Sequence, residues 1–275
     1  MTITSRQNPL VARFRDAARG GRGEALLLDG AHLVGEAIDA GIRVHLAAVT
    51  PAASERDDIR PLLAALARAG ADIATVAAPV MDAISPVRSP SGIVALAERP
   101  PAAADRVYGA QPPLVVVAVD VQDPGNVGAI VRVAEAAGAT GVVAAGVSAD
   151  PFGWKALRGS MGSGLRLPLA SGLSADAAVA DARGRGCRVV ATSPRDGTSV
   201  FDIDLSGPIA VVIGGEGPGL PPPLLDAADQ RVTIPMQPPV ESLNAAVTAA
   251  LILYEARRQR SPAKHTKHRH GFPLP

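Results

Sequence analysis

The sequence predicts an α/β protein built as two units, and three observations carry that expectation. Strand-like apolar runs alternate with helical stretches through most of the chain. The run Leu114–Val119 is apolar without interruption, the pattern of a parallel strand buried on both faces. Residues 99–113, RPPAAADRVYGAQPP, break the alternation with four prolines and no clear period, which reads as a linker and places a boundary there.

Taken in order, residues 1–22 are basic and weakly patterned. A short strand is expected at Leu26–Leu28, then a helix over Ala31–Ala40 that Gly41 ends. A strand at Val44–Val49, a helix over Asp57–Ala69 and a strand at Asp72–Val76 follow. A short helix near Val80–Ile84 leads to a strand at Gly92–Ala97 and completes the first unit, residues 1–98. The second unit, residues 114–260, opens with the Leu114–Val119 strand and a loop with Pro-Gly turn chemistry, Asp120–Gly125. Helices are expected at Asn126–Ala137, at Phe152–Ser160 before the glycine-rich GSMGSG, and at Ala175–Arg185. Strands are expected at Gly141–Ala145, Arg188–Thr192, Ile209–Ile213 and Arg231–Ile234, and a closing helix runs from Ser242 to Arg260. Residues 261–275 carry basic residues and no core material, so a disordered tail is expected.

The composition supports real cores: 47% of the residues are hydrophobic but only 3% are aromatic, so Val, Leu, Ile and Ala must fill them. Net charge is +1, and its distribution says more than its sum. Residues 1–22 carry Arg6, Arg13, Arg15, Arg19 and Arg22 against Asp16 alone, and residues 256–275 carry six Lys or Arg and three His with no acid. Basic ends on a near-neutral body suit a polyanion such as RNA, or are simply solvated tails. The single cysteine, Cys187, excludes an intrachain disulfide and a zinc–cysteine cluster, and nothing in the sequence calls for a metal. No run reaches the roughly 18 apolar residues of a membrane span, and the N-terminus lacks a secretory apolar core, so a cytoplasmic protein is expected.

Three segments carry chemistry. In Asn126-Val-Gly-Ala-Ile-Val-Arg132, Asn126 suits a helix N-cap and Gly128 allows close approach of another chain or a ligand. Alone, this reads first as an ordinary capped helix with a surface arginine. Gly214-Gly-Glu-Gly-Pro-Gly219 follows a buried strand at the end where open α/β sheets bind ligands. It exposes backbone N–H and C=O groups to a polar ligand such as an adenosyl group, but is neither G-x-G-x-x-G nor a Walker loop. Alone, it is equally a tight turn. In the third segment, Ile234 to Arg260, Ser242 and Asn244 can satisfy the free N–H groups of the closing helix. Leu243, Val247, Leu251 and Tyr254 share one face, which reads as core or dimer packing and leaves function to the backbone at Ile234, Met236 and Leu243.

Together, N-x-G-x-x-x-R after a strand, G-x-E-G-x-G-L, and I-P-M followed by S-L-N resemble the SpoU/TrmH family of S-adenosylmethionine-dependent RNA ribose 2′-O-methyltransferases. The resemblance covers residues 114–260 tightly. Residues 1–98 resemble, more loosely, the L30e-like substrate-binding domain that often precedes it, through Ser5-Arg-Gln-Asn-Pro9, Asp29-Gly30 and Ser91-Gly-Ile-Val94. The resemblance implies a parallel sheet with a C-terminal trefoil knot, of the SPOUT type, and a homodimer with its active site at the subunit interface. It implies a cofactor pocket lined by Thr192, Gly214, Ile234 and Leu243, with Gly215 and Met236 adjacent. Asn126, Arg132, Glu216, Ser242 and Asn244 would be the catalytic and supporting set. Arg158 and Ser160 would sit near the RNA, with Arg6 in the leading basic stretch. Gly215 departs from the family, which more often has Asn, Ser or Ala there, and a looser loop is expected.

The implied reaction is in-line attack of a ribose 2′-hydroxyl on the sulfonium methyl. The residue matching the family's proposed base is Arg132. A guanidinium ordinarily keeps its proton, so a bidentate phosphate clamp is the other role open to it. RNA is expected over DNA because the nucleophile is the 2′-hydroxyl. The leading domain favours rRNA, 23S rRNA first, over tRNA. A non-catalytic RNA-binding or ribosome-assembly factor on the same fold is the reading from another class. A nicotinamide enzyme is a third, but the glycine order is wrong for it.

Overall fold

Strand pairing separates the chain into two sheets. The computed structural model describes residues 2–20, 25–101, 104–109, 112–217 and 219–261; residues 262–275 of the tail expected over 261–275, and Arg22, lie outside them.

The first sheet is mixed. It is built from β1 (Ala25–Asp29), β2 (Val44–Val49), β3 (Asp72–Thr75) and β4 (Ile93–Glu98), in the order β1-β4-β2-β3. β4 runs antiparallel to β1 and β2, and β3 parallel to β2. Around it lie α1 (Pro9–Ala18), α2 (Ala31–Asp39), α3 (Pro51–Ser54), α4 (Arg60–Arg68) and α5 (Ala78–Ile84). The N-terminal stretch is therefore more than a basic arm. Asn8 caps α1 by accepting the Leu10 N–H, Pro9 opens the helix, and Val11 and Phe14 are buried. The helix expected over Asp57–Ala69 starts later, because Pro61 has no N–H to donate and is tolerated only in a first turn.

The stretch read as a linker carries a helical turn, α6 (Ala104–Val107), and buries Val107 and Tyr108 against the second sheet.

The second sheet has seven strands, all neighbours parallel. They are β5 (Leu114–Val119), β6 (Gly141–Ala145), β7 (Leu169–Ser171), β8 (Arg188–Thr192), β9 (Thr198–Ser199), β10 (Ile209–Gly214) and β11 (Gln230–Thr233), ordered β7-β6-β5-β10-β8-β11-β9. The helices are α7 (Pro124–Ala137), α8 (Trp154–Ser160), α9 (Ser163–Arg166), α10 (Ala175–Gly184), α11 (Pro222–Asp226) and α12 (Ala245–Arg260). Every residue of β5 is buried: Leu114, Val116 and Ala118 face one core and Val115, Val117 and Val119 the other. Each such side chain contributes about 1.5–3 kcal/mol when fully buried, so coverage on both faces is what the uninterrupted apolar run encodes.

Of the two readings of the α12 stripe, packing into the chain's own core does not hold for Val247, Leu251 and Tyr254. Ala249, Ile252, Leu253 and Ala256 are in the core, whereas Val247, Leu251 and Tyr254 are 47%, 44% and 52% exposed. α7 packs on α8 through Gly128: a Cβ there would lie 2.3 Å from the Ala156 carbonyl and 2.9 Å from the Ser160 nitrogen. The close approach expected of that glycine is thus to a neighbouring helix. Gly128→Ala is expected to destabilise the fold by about 1–3 kcal/mol, read as a lower denaturation midpoint, because backbone and not a flexible side chain must move. An unchanged midpoint would mean that α7 and α8 can separate freely.

Candidate active site

The loops after β5, β8, β10 and β11 all leave the same edge of the parallel sheet, the carboxyl edge where such folds bind ligands. After β5, Asp120 adopts a left-handed φ of 56° and its carboxylate accepts the Val147 N–H at 2.9 Å. Asp123, not Asn126, caps α7: its Oδ1 accepts the Asn126 N–H at 2.9 Å. The Asp-Pro pair before the helix is the signal that the sequence reading passed over. Asn126 sits inside the first turn, so its side chain is free to point away from its own backbone.

That side chain joins the three segments. Asn126 Nδ2 donates to Glu216 Oε1, and Asn126 Oδ1 accepts from Asn244 Nδ2 at 3.0 Å. Asn244 in turn caps α12, its Oδ1 accepting the Ala246 N–H at 2.9 Å and the Val247 N–H at 3.3 Å. The relay fixes each amide's orientation. Asn244 must present oxygen to the helix and so presents nitrogen to Asn126, which then presents nitrogen to the carboxylate.

The glycine loop closes against this relay. The Gly215 N–H donates to Val119 O at 2.8 Å, and a Cβ on Gly215 would lie 2.0 Å from the Asp120 carbonyl. The residue expected to loosen the loop instead permits its tightest contact. A Cβ on Gly214 would meet Gly219 and Leu220 backbone at 2.6 Å. Between the segments that follow β8 and β11, a cavity of about 270 Å³ is lined by Pro194, Thr233, Ile234, Met236, Pro239 and Val240. Arg195 and Glu241 form an ion pair of 3.3 Å across the residues of that cavity, a feature with no sequence signal. Of the expected cofactor set, Ile234 and Met236 line the cavity; Thr192, Gly214, Gly215 and Leu243 are not in its wall. Thr192 and Gly214 end the adjacent paired strands β8 and β10.

The other expected residues scatter. Ser242 is exposed, two residues before the cap. Arg132 is exposed on α7 with no partner among the described residues. It lies six residues beyond Asn126, roughly 9 Å along the axis and turned onto another face, so it does not reach the same relay. Arg158 is exposed at the end of α8. Ser160, expected near RNA, is 1% exposed; its Oγ donates to Leu157 O and accepts the Gly164 N–H, so the hydroxyl is used up inside the fold. Arg6 is exposed and donates through Nε to Pro79 O at 3.0 Å. Asp29, which no sequence argument singled out for chemistry, is half-buried at the end of β1. Burial pushes its carboxyl above the ordinary range, against the Ser85 hydroxyl, which donates to it at 2.6 Å, and the nearby charge of Arg158. Among the described residues no group of three or more His, Cys, Asp or Glu is placed to hold a metal ion, and no helix is long and apolar enough to cross a membrane.

The chain has known relatives. Residues 113–254 match the SpoU rRNA methylase family. The chain belongs to that family. Residues 17–95 match the MRM3-like substrate binding domain. An uncharacterized tRNA/rRNA methyltransferase of Synechocystis is 35% identical over 266 residues, 94% of each chain. The 23S rRNA (guanosine(2553)-2′-O)-methyltransferase RlmP of Bacillus subtilis is 33% identical over 175 residues, 64% of this chain and 68% of that protein. The crystal structure of the SpoU methyltransferase AviRb from Streptomyces viridochromogenes, in complex with the cofactor AdoMet, is 29% identical, with a TM-score of 0.84 over 92% of this chain and 98% of that one. Within the SpoU fold, the N-x-G and G-x-E-G motifs are thus the two ends of one hydrogen bond, Asn126 to Glu216.

Asp29 yields a pH-dependent test. Its folded carboxyl titrates above the unfolded one, so ionisation opposes folding, and the cost appears as pH rises through that interval. Asp29→Asn is expected to raise the melting temperature at neutral pH, with the gain vanishing below the ordinary carboxylate range. A gain that persists in acid would assign the effect to something other than the charge.

Proposed function

We propose that this chain transfers a methyl group from S-adenosylmethionine to a ribose 2′-hydroxyl of RNA, with 23S rRNA as the target, in the cytoplasm. The observation that carries the reading is the Glu216–Asn126–Asn244 relay, which brings the three family motifs together at the carboxyl edge of a parallel sheet. The similarity to RlmP and the leading substrate-binding unit favour rRNA over tRNA. We take residues 1–98 as that unit, 114–260 as the methyltransferase unit, and 99–113 as the connection between them.

The residues present fit the cofactor. The cavity wall offers apolar surface at Ile234, Met236, Pro239 and Val240, as an adenine ring requires, and polar groups at Thr233, Arg195 and Glu241. Bound there, the cofactor supplies a methyl group on a sulfonium, ready for in-line attack. The chain's part is to hold the hydroxyl on that line, which supplies much of the rate. Asn126 holds the Glu216 carboxylate in place, and in this reading that carboxylate accepts the hydroxyl proton. Asn244 fixes where α12 begins and therefore where the 234–243 segment passes the cofactor. In the same reading, that segment is the part threaded through the family's trefoil knot.

Arg132 acts across a subunit interface. It cannot reach the relay of its own chain, and α12, which packs on α7, leaves Val247, Leu251 and Tyr254 exposed in a stripe for a second copy. In a homodimer joined there, Arg132 clamps a phosphate of the RNA entering the partner site, where a planar fork is the best-suited group. Arg158 and Arg6 add backbone attraction that weakens with salt.

Two experiments test this. Mapping 2′-O-methyl sites in total RNA with and without the gene is expected to show one 23S rRNA site lost; loss in tRNA would shift the target class, and no loss would favour a non-catalytic factor. Arg132→Ala and Asn126→Ala are each expected to lower the rate about a hundredfold. Mixed together, they should recover about a quarter of wild-type activity, because a heterodimer keeps one intact site. No recovery would place Arg132 in its own chain's site.

A further inference from the structure

The contact between the two units is built unlike a hinge. Hinged units usually meet through small, polar surfaces. Here Leu26 and Leu28 of β1 belong to one continuous apolar core with Ala156 and Leu157 of α8 and Leu165 of α9. Trp154 of α8 packs on the cluster formed by Val11, Phe14 and Leu27 in the first unit.

Two arginine forks frame that core. Arg166 of α9 donates through Nε and Nη2 to both carboxylate oxygens of Glu135 at 2.8 Å each, and its remaining nitrogen, Nη1, pairs closely with Glu36 of α2. One guanidinium therefore joins the first unit to α7. All three side chains are substantially covered, at 39%, 29% and 23% exposure, so solvent screens them less than a surface pair. Gly162 makes room for the Glu36 stem, since a Cβ there would lie 2.6 Å from Glu36 Cγ. On the other side, Arg99 forks Asp150 at 2.8 Å for both bonds and lies over the Phe152 ring, 4.8 Å from its centroid. Glu135 stands nine residues beyond Asn126, so roughly 14 Å of one rigid helix separates the clamp from the relay. The TM-score of 0.84 with AviRb spans both units, a value that superposing either unit alone would not reach.

We propose that Arg166 is a positioning residue for the methyl transfer. With the Arg99–Asp150 pair it holds the substrate-binding unit at a fixed distance from the reaction centre, and the chain chooses its nucleotide by measuring along a folded RNA. The functional half of this rests on the RNA methyl-transfer reading above; the docking half does not. A lysine cannot replace Arg166, because a single ammonium lacks the fork that serves Glu135 while a third nitrogen serves Glu36.

The test pairs a distance with a rate. In the full-length chain, dyes are placed at Arg68→Cys and Asp176→Cys, both exposed and outside the site, with buried Cys187 left in place. The wild-type background should show one narrow separation, and Arg166→Met a broad one. On a folded 23S rRNA fragment, Arg166→Met, Arg166→Lys and Glu36→Arg should each lower kcat/KM by about tenfold or more and scatter methylation to neighbouring riboses, with S-adenosylmethionine affinity within about twofold of wild type. The triple variant Glu36→Arg, Glu135→Arg and Arg166→Glu inverts the triad, with one carboxylate between two cations, and should recover site choice. A broad separation in wild type would overturn the docking. Unchanged kcat/KM, or an equal loss of cofactor affinity, would overturn the positioning role. A wild type with narrow separation and cofactor affinity but no RNA methylation would overturn the methyl-transfer reading and the ruler with it, while the distance still decides the docking.

Discussion

One side-chain amide holds the site together. Asn126 is the only link among the described residues that joins the segment after β5 to both the glycine loop and the start of α12. Those three segments are 90 and 118 residues apart in sequence. A carboxamide is the side chain suited to this task, since it donates on one side and accepts on the other. An aspartate would repel Glu216, and an alanine would leave two polar groups without partners. The geometry of the site follows from that: the Glu216 carboxylate is tied through Asn126 to the residue that caps α12.

The relay works only because backbone comes unusually close around it. Gly214, Gly215 and Gly128 each stand where a Cβ would collide with main-chain atoms. They fix the glycine loop against β5 and α7 against α8, and those packings put Asn126 and Glu216 within reach of each other. The parallel sheet supplies the frame, since all four site loops leave its carboxyl edge. The same helix that carries Asn126 at its start carries Glu135 further on, so site and inter-unit clamp share one rigid element.

Much of this was legible in the sequence. The apolar run of β5 announced a doubly covered strand, and the three motifs named the relay's members before any contact was visible. Where the reading failed, a longer-range or subtler force decided. α1 was missed because a capping Asn8-Pro9 start lies within a strongly basic stretch, and burial of Val11 and Phe14 is a tertiary fact. For the α12 stripe the sequence left core and dimer packing open, and helical spacing cannot say which of two apolar faces meets the core of its own chain. Ser160 looked like an RNA contact by motif position, and only its two internal hydrogen bonds reveal a structural role. Arg166 carried no signal at all, because an ion pair between α2, α7 and α9 exists only once the units are docked.

The claim that the relay is one unit is open to a direct measurement: a double-mutant cycle on methyl transfer with Asn126→Ala and Glu216→Ala. If the hydrogen bond between them is what organises the site, the double variant will be no slower than the slower single variant, because the first substitution already removes what the second would. Losses that multiply would mean that Asn126 and Glu216 act independently, and the account of a single organising amide would be wrong.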